Sequence, residues 1–169
     1  MPKQTFLNLP PEKQQRLLDA GFEVFSRVPA MDASISDIIK LAAIPRGSFY
    51  QYFEDKFDLH AYLVMQFSQK WNQTWHTLLQ RHQGDFFAAV PPLFKEILDM
   101  MTDKKNYAFW KNTFFQLRNS KEMRKTLHQQ RCSKHNDDRE LIDQHKLRIE
   151  LTKRNYLLLK RQITTMMIQ

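Results

Sequence analysis

Glycine is the residue whose scarcity most constrains the fold of this chain. Only three glycines occur in 169 residues. A β-sandwich uses glycine repeatedly, because most tight hairpin turns require a positive φ. A glycine-rich phosphate loop is equally disfavoured. Apolar side chains make up 42% of the chain, an ordinary share for a globular protein with a core. The sequence therefore predicts an all-α fold.

No membrane-spanning or secretory segment is predicted. The chain contains no run of about 18 apolar residues, and its N-terminus lacks the apolar stretch of a secretory signal. Cys132 is the only cysteine, so no disulfide can form within the chain. A reducing cytoplasm is the expected location, without membrane association.

Three consecutive helices are predicted in the N-terminal third. The first covers Pro11–Val28, because proline suits the first helical position. The second begins after Ser34, a favourable N-cap residue, and continues through the stretch DIIKLAA. Pro45 prevents that helix from continuing and begins a third, which ends near Phe53.

The third helix presents two different faces. At 100° per residue, Phe49 and Phe53 share one face, which predicts that they are buried. Gly47, Tyr50 and Gln51 lie on the other side. A glycine lets the helix backbone approach another molecule, and the surrounding hydroxyl, guanidinium and phenol groups bond phosphate oxygens and base edges. Two short helices joined by a tight turn, with this surface on the second, indicate a helix-turn-helix.

The stretch ISDIIKLAAIPRGSFYQYFEDKFDL (residues 35–59) resembles the DNA-binding signature of the TetR/AcrR-type transcriptional regulators. The resemblance covers residues 11–59, roughly the first third of the chain. It implies a three-helix DNA-binding domain at residues 1–56, followed by an all-helical effector-binding and dimerisation domain at residues 57–169. It also implies the residues that contact DNA. These are Ser36, Arg46, Gly47, Ser48, Tyr50, Gln51, Tyr52 and Lys56.

The family pattern assigns these residues different roles. Ser36, at the start of the second helix, corresponds to a base or phosphate contact. Tyr50, Tyr52 and Lys56 correspond to positions that grip backbone phosphates. Arg46, Gly47, Ser48 and Gln51 lie on the recognition helix.

Two residues depart from the family pattern. Ala43 stands where a turn glycine is common, and a left-handed alanine there costs roughly 1 kcal/mol. Pro45 replaces the usual serine or threonine, which removes a hydroxyl cap. The predicted fold accommodates both changes.

The rest of the chain is predicted to form amphipathic helices, with aromatic residues and methionines concentrated in the middle. Aromatic residues at helical spacing usually form a core. The family resemblance implies instead that some of them line a pocket for a small apolar effector, since pockets between helices are mostly apolar. The candidate lining residues are Trp71, Phe94, Met100, Tyr107, Trp110 and Phe114.

The distribution of charge leaves a second interpretation open. The net charge is +8, but residues 1–58 contain seven basic and eight acidic side chains, so the excess lies beyond them. An all-helical protein-binding or apolar-ligand-binding module without DNA function is therefore the alternative. Salt-dependent, sequence-selective DNA binding distinguishes the two.

Enzymatic and metal functions are not predicted. The sequence has no HExxH pattern, nucleophile elbow or paired-carboxylate signature. Cys132, His135, Asp137 and Asp138 lie close together, but one cysteine and one histidine are too few for a closed zinc site. No cofactor is expected.

The resemblance implies a homodimer that acts as a repressor on a palindromic operator and releases it when an effector binds. Two recognition helices would enter successive major grooves about 34 Å apart. Dimerisation through the last two helices would involve an apolar surface near the C-terminus. Its candidate residues are Leu157, Leu158, Ile163, Met167 and Ile168.

Overall fold

The computed structural model describes residues 2–120, 141–143 and 158. Across these ranges the chain forms α-helices and no strand, which confirms the predicted all-α class. The helices are α1 (Gln4–Leu7), α2 (Pro11–Arg27), α3 (Ile35–Ala42), α4 (Arg46–Tyr52), α5 (Lys56–Arg81), α6 (Phe86–Thr102) and α7 (Lys104–Asn119). Helix α1 is the one the sequence analysis did not predict.

Helix α2 begins and buries its apolar face much as its sequence predicts. Pro11 occupies the first turn, where its missing N–H would have no helical partner. Gly21 allows a close approach to α5, because a Cβ at this position would lie 2.8 Å from Leu59 Cδ2. The predicted helix included Val28, which lies one residue beyond the end of α2, at the C-cap. It is 36% exposed, because the backbone turns to an extended conformation there and leaves the helix.

Helix α3 is capped at both ends. The Ser34 side chain accepts a hydrogen bond from the Ser36 N–H at 3.1 Å, which confirms the predicted N-cap. At the other end Ala43 is left-handed, with φ 51° and ψ 49°. The N–H groups of Ala43 and Ile44 bond back to Lys40 and Ile39, the pattern of a Schellman motif. Alanine therefore occupies the position where glycine is favoured.

Helix α4 is short and is packed through its phenylalanines. Phe49 and Phe53 are fully buried, as predicted. Pro45 lies at the N-cap and Phe53 at the C-cap, so the helix is one residue shorter at each end than expected. The side chain of Pro45 makes no capping hydrogen bond.

The described residues fall into two compact units. One contains residues 2–68 and 101–120, and therefore joins the three predicted N-terminal helices to α7. The other contains residues 69–100 and 141–143. The domain boundary at residue 56 stays a prediction.

The first unit is held together by contacts between α7 and the N-terminal helices. Asp103 caps α7 by accepting from the Lys105 N–H at 2.9 Å. The ring of Phe109, fully buried, stacks on Phe22 with centroids 4.8 Å apart. Asn112 donates from Nδ2 to the backbone oxygens of Phe25 (2.9 Å) and Ser26 (3.0 Å) at the end of α2. These oxygens would otherwise lack partners, since the last carbonyls of a helix have none within it.

A neutral histidine lies inside the same unit. His60 is 1% exposed, and its Nε2 lies 3.0 Å from Thr113 Oγ1. The Thr113 hydroxyl donates its one proton to the Phe109 carbonyl at 2.8 Å, so its oxygen accepts and the imidazole proton lies on Nε2. Burial lowers the pKa of His60 to about 4, because a charged ring would lose its hydration.

The second unit contains the end of α5 and most of α6. Asp85 accepts from the Ala88 N–H at 3.0 Å and so caps α6. The helix continues through Pro91 and Pro92. Trp75 and Phe86 pack edge to face, with centroids 5.3 Å apart.

Two groups of predicted residues lie outside the described part of the chain. Cys132, His135, Asp137 and Asp138 form one group. The other is the predicted dimer surface, apart from Leu158, which is helical and exposed.

Candidate nucleic-acid interface

The outward face of α4 carries the side chains that the sequence placed there. The buried pair Phe49 and Phe53 fixes the helix against the core. This leaves Gly47 and Gln51 exposed, and Tyr50 is 40% exposed with its ring edge to face against Phe49 at 5.6 Å. A hydrogen-bonding surface therefore faces outward from a rigidly anchored helix.

Within the described part of the chain, no neighbour packs closely enough against Gly47 to require a glycine. A Cβ built at this position meets no atom within 4 Å. Glycine inside a helix costs roughly 0.5–1 kcal/mol relative to alanine. Gly47 therefore leaves the helix backbone accessible on an exposed face, and its predicted contact with DNA stays a prediction.

The structure brings Ser36 and Arg46 together from two different helices. Arg46 donates from Nη1 to Ser36 Oγ at 3.5 Å, a long hydrogen bond between exposed side chains. Both residues lie near the N-terminal ends of their helices, α3 and α4. The helix-turn-helix thus gathers side chains that lie ten residues apart in the sequence.

Ser48 and Tyr52 are less accessible than Tyr50. Both are half-buried. The ring of Tyr52 packs against Phe6, with centroids 6.3 Å apart. Tyr52 therefore has a packing role, and the phosphate contact that the family pattern assigns to it stays a prediction.

Lys56 is oriented toward the protein. Its ammonium donates to the Ala33 carbonyl at 2.8 Å and also to the Met31 carbonyl, both in the segment between α2 and α3. It also lies 5.3 Å from the centre of the Phe57 ring. Lys56 thereby connects the first turn of α5 to the segment that leads into α3. Its predicted phosphate contact stays a prediction.

The residues that hold the C-terminal end of α4 were not predicted from the sequence. Lys3, Thr5 and Phe6 belong to an N-terminal segment that contacts α4 directly. The available signal was a phenylalanine followed by two leucines before the Pro10–Pro11 pair. An apolar cluster in an N-terminal extension indicates that the extension packs against the fold.

The six candidate effector-binding residues are distributed over both compact units. In one unit, Trp71 Nε1 donates to Met100 Sδ at 3.4 Å. In the other, Trp110 is buried and stacks on Phe114, with centroids 5.6 Å apart. Phe94 and Tyr107 are exposed. The effector pocket stays a prediction.

None of the helices in the described part of the chain combines the length and the low polarity needed to cross a bilayer.

Two family sequence models match the chain. The one described as "Bacterial regulatory proteins, tetR family" matches residues 17–63, which include the helix-turn-helix. The one described as "Tetracyclin repressor-like, C-terminal domain" matches residues 85–169, half of the chain. The chain belongs to the TetR family. The predicted resemblance is thereby confirmed, and the second match extends it beyond the DNA-reading helices.

Curated relatives align with the N-terminal part. The "Uncharacterized HTH-type transcriptional regulator YvdT" of Bacillus subtilis (strain 168) is 45% identical over 56 residues, 33% of this chain and 26% of the relative. The "HTH-type transcriptional regulator AcrR" of Shigella flexneri is 38% identical over 48 residues, 28% of this chain and 22% of the relative. The chain thus spans about a quarter of the length of these relatives.

A solved structure is similar to a larger part of the chain. The TetR family transcriptional regulator from Chloroflexus aurantiacus J-10-FL shares 32% sequence identity with it and has a TM-score of 0.47. The match covers 64% of this chain and 51% of that chain.

Proposed function

We propose that this TetR-family chain is a DNA-binding transcriptional regulator, a repressor released from a palindromic operator by a small apolar effector. The observation that carries the proposal is the exposed face of α4, where Gly47 opens onto empty space beside Tyr50 and Gln51. Family membership supports a role in regulation and not in catalysis.

In the proposed complex, some residues of this face contact phosphates and others contact base edges. The Tyr50 phenol donates to a phosphate oxygen, which positions the protein but carries no sequence information. Arg46 and Gln51 carry the groups that read base edges in the major groove, a guanidinium for guanine and an amide for adenine. Ser36 lies beside Arg46 and adds a hydroxyl to the same edge of the site.

Release by an effector requires a mechanical connection to the DNA-reading helices. The described contacts offer one, because Lys56 joins the first turn of α5 to the carbonyls that precede α3. A shift of α5 would move the start of α3, and therefore the orientation of α4. Loss of only a few phosphate contacts lowers affinity strongly, which would suffice for release.

Replacing Gly47 by alanine tests the proposal. Because the new methyl group meets open space, the free protein should become more stable by about 0.5 kcal/mol. DNA binding should weaken about tenfold or more, since an added methyl group at a packed contact costs roughly 1–3 kcal/mol. Urea denaturation measures the first effect, and fluorescence anisotropy with operator DNA selected from a genomic library measures the second.

The control variant is Asn72→Ala, which also raises helix propensity at an exposed position, on α5. It should add stability and leave the affinity for DNA unchanged. If Gly47→Ala binds the operator as tightly as the original chain, α4 does not approach DNA at this residue.

Two further substitutions separate positioning from reading. Tyr50→Phe should weaken binding to all DNA sequences alike, because only a phosphate contact is lost. Gln51→Ala should change which sequences bind, by roughly 1–3 kcal/mol at one base position. Binding of Tyr50→Phe with unchanged affinity would show that the phenol has no such role.

The near-neutral charge of residues 1–58 supports a second candidate function, a module that binds another protein through the helix-turn-helix. The two candidates differ in their dependence on salt. For a DNA-binding regulator, the logarithm of the affinity falls linearly with the logarithm of the salt concentration, with a slope of about −0.9 per phosphate contact. Retention of DNA that is weak and insensitive to sequence would favour the protein-binding module.

The effector is tested separately from DNA. Native mass spectrometry of the purified chain should detect a retained small apolar molecule. Adding that molecule to the operator complex should release the DNA. Substitution of Trp110 by alanine should reduce retention more than substitution of the exposed Phe115, which serves as the aromatic control on the same helix.

A further inference from the structure

The C-terminal end of α4 is held by an N-terminal arm, residues 3–6. Three consecutive carbonyls at the end of the helix accept hydrogen bonds from it. Tyr50 O accepts from Lys3 Nζ at 2.9 Å, and Tyr52 O accepts from the Lys3 N–H at 2.8 Å. The Gln51 carbonyl between them accepts from the Thr5 hydroxyl. Two arm residues therefore satisfy carbonyls that have no partner within the helix.

The arm is anchored by a fully buried ring. Phe6 is 0% exposed. Its centroid lies 4.9 Å from that of Phe53 and 5.7 Å from that of Tyr62. These two residues lie at the C-cap of α4 and in α5, so the arm is packed into the core beside the end of the reading helix.

A helix as short as α4 depends on such contacts. It has seven residues, so most of its backbone groups are terminal groups without a helical partner. Isolated helices of this length do not form in water. Phe49 and Phe53 fix one face of the helix, but a buried face does not satisfy its terminal carbonyls.

The positively charged group of the arm, the Lys3 ammonium, bonds to groups of the protein itself. Lys3 Nζ bonds the Tyr50 carbonyl and also lies 3.0 Å from Glu54 Oε2. The Glu54 side chain is 77% exposed, and an exposed ion pair contributes little by itself. The hydrogen bonds to α4 and the burial of Phe6 therefore define the function of the arm.

We propose that Lys3, Thr5 and Phe6 are positioning residues for DNA reading. By fixing the last turn of α4 they set the orientation of Tyr50 and Gln51, and hence how well the protein discriminates between DNA sequences. This inference rests on the proposed function, because discrimination has meaning only if α4 reads DNA.

The experiment compares Thr5→Val with Thr5→Ser in the full chain. Valine keeps the shape of threonine but removes the hydroxyl donor, and Thr5 is exposed, so the fold should tolerate the change. The ratio of affinities for operator and scrambled DNA should fall roughly three- to tenfold in the valine variant, as expected for one lost hydrogen bond. The serine variant, which retains the donor, should restore the ratio.

Lys3→Met distinguishes positioning from a direct phosphate contact. If Lys3 is a positioning residue, replacing it should lower the ratio of affinities for operator and scrambled DNA. The slope of the logarithm of affinity against the logarithm of salt concentration should stay unchanged. A phosphate contact would instead weaken binding to both DNAs equally and reduce the slope by about one unit. Lys13→Met is the matched control, because it removes an exposed positive charge from α2.

Amide hydrogen exchange provides a readout without DNA. In Thr5→Val, the protection of the Tyr50–Phe53 amides should fall roughly three- to tenfold, while protection in α2 is retained. A uniform loss across all helices would show a general loss of stability and would overturn the proposal.

The remaining outcomes separate the two levels of inference. If the original chain does not discriminate between DNA sequences, the proposed function is wrong, and this inference is overturned with it. If the original chain discriminates and Thr5→Val discriminates equally well, the proposed function stands and the positioning role of the arm is wrong.

Discussion

At the scale of single residues, Ala43 and His60 each have a conformation or an environment that is unfavourable by itself, and the rest of the fold compensates for it. Ala43 takes up a left-handed conformation in the turn between α3 and α4, where a Cβ is unfavourable. His60 is kept uncharged inside the protein by burial. Ala43 lies in the turn before α4, His60 packs between Phe25 of α2 and Phe109 of α7, and each yields a prediction about stability.

Replacing Ala43 by glycine should stabilise the protein by about 1 kcal/mol, because it removes the left-handed strain. Ala42→Gly is the matched control one residue earlier. Ala42 is helical and fully buried, so the same substitution should destabilise the protein by about 1 kcal/mol or more. Urea denaturation measures the free energy of unfolding, which should rise in Ala43→Gly and fall in Ala42→Gly. Destabilisation by both would contradict the left-handed assignment at position 43.

Stability should decrease as the pH falls from about 6.5 toward about 4, because of His60. Its pKa is about 4 in the folded protein and about 6.5 in the unfolded chain, so the unfolded chain binds more protons throughout this window. The full loss amounts to about 3 kcal/mol, since one pKa unit corresponds to about 1.4 kcal/mol. Above the window the contribution is fully present.

His60→Gln should flatten this pH dependence, measured by urea denaturation at a series of pH values. The control is His82→Gln, which removes a half-buried imidazole from the other compact unit. An unchanged slope in His60→Gln would mean that a different group titrates in this window.

At the scale of helices, the ends of α2 and α4 are completed by residues distant in sequence. The end of α4 is capped by the N-terminal arm, and the end of α2 is capped by Asn112 of α7. Helix α7 begins beyond the family match to the DNA-binding domain, which ends at residue 63, yet it packs directly on α2. A helix outside the DNA-binding segment therefore contributes to the stability of the unit that contains it.

Asn112→Ala should destabilise the protein by about 1–3 kcal/mol, because two part-buried carbonyls lose their donor. Asn119→Ala is the matched control on the same helix. Asn119 is exposed, and among the described residues its side chain bonds to Phe115 O, one turn earlier, so its loss should have little effect. Thermal denaturation followed by circular dichroism compares the two, and equal effects would show that Asn112 does not connect α7 to α2.

At the scale of the whole molecule, we propose that the repressor acts as a dimer on a two-fold operator. Such a dimer binds half-sites whose centres are about one turn of DNA, roughly 34 Å, apart. The dimer and its spacing stay predictions, because most of the proposed dimer surface lies outside the described residues.

Changing the spacing of the operator half-sites tests this assembly. Inserting about 5 base pairs rotates the half-sites to opposite sides of the duplex, so affinity should fall to that of one half-site. Inserting about 10 base pairs returns the two half-sites to the same side of the duplex but increases the distance between them, so binding should recover in part or not at all. Anisotropy titrations on the three DNAs, with stoichiometry from native mass spectrometry, measure the effect. Equal affinity for all three would exclude rigid two-site binding.

The local features of the candidate site could be predicted because they depend on residues near one another in sequence. The 3.6-residue period placed Phe49 and Phe53 inside and Tyr50 and Gln51 outside, and proline and serine marked the helix boundaries. Of the neighbouring apolar residues Leu41 and Ala42, Ala42 is buried and Leu41 is 40% exposed, because the apolar pattern of so short a helix leaves its rotation poorly defined.

The sequence by itself determined the helical class, the helix-turn-helix and the outward face of α4, since helix sterics and capping act over a few residues. Only the tertiary structure decided how those helices are completed. The arm contacts α4 across 46 and 47 residues, His60 contacts Thr113 across 53, and Asn112 reaches α2 across 86 and 87. Such contacts depend on which buried surfaces meet when the chain packs, and no local pattern encodes that choice.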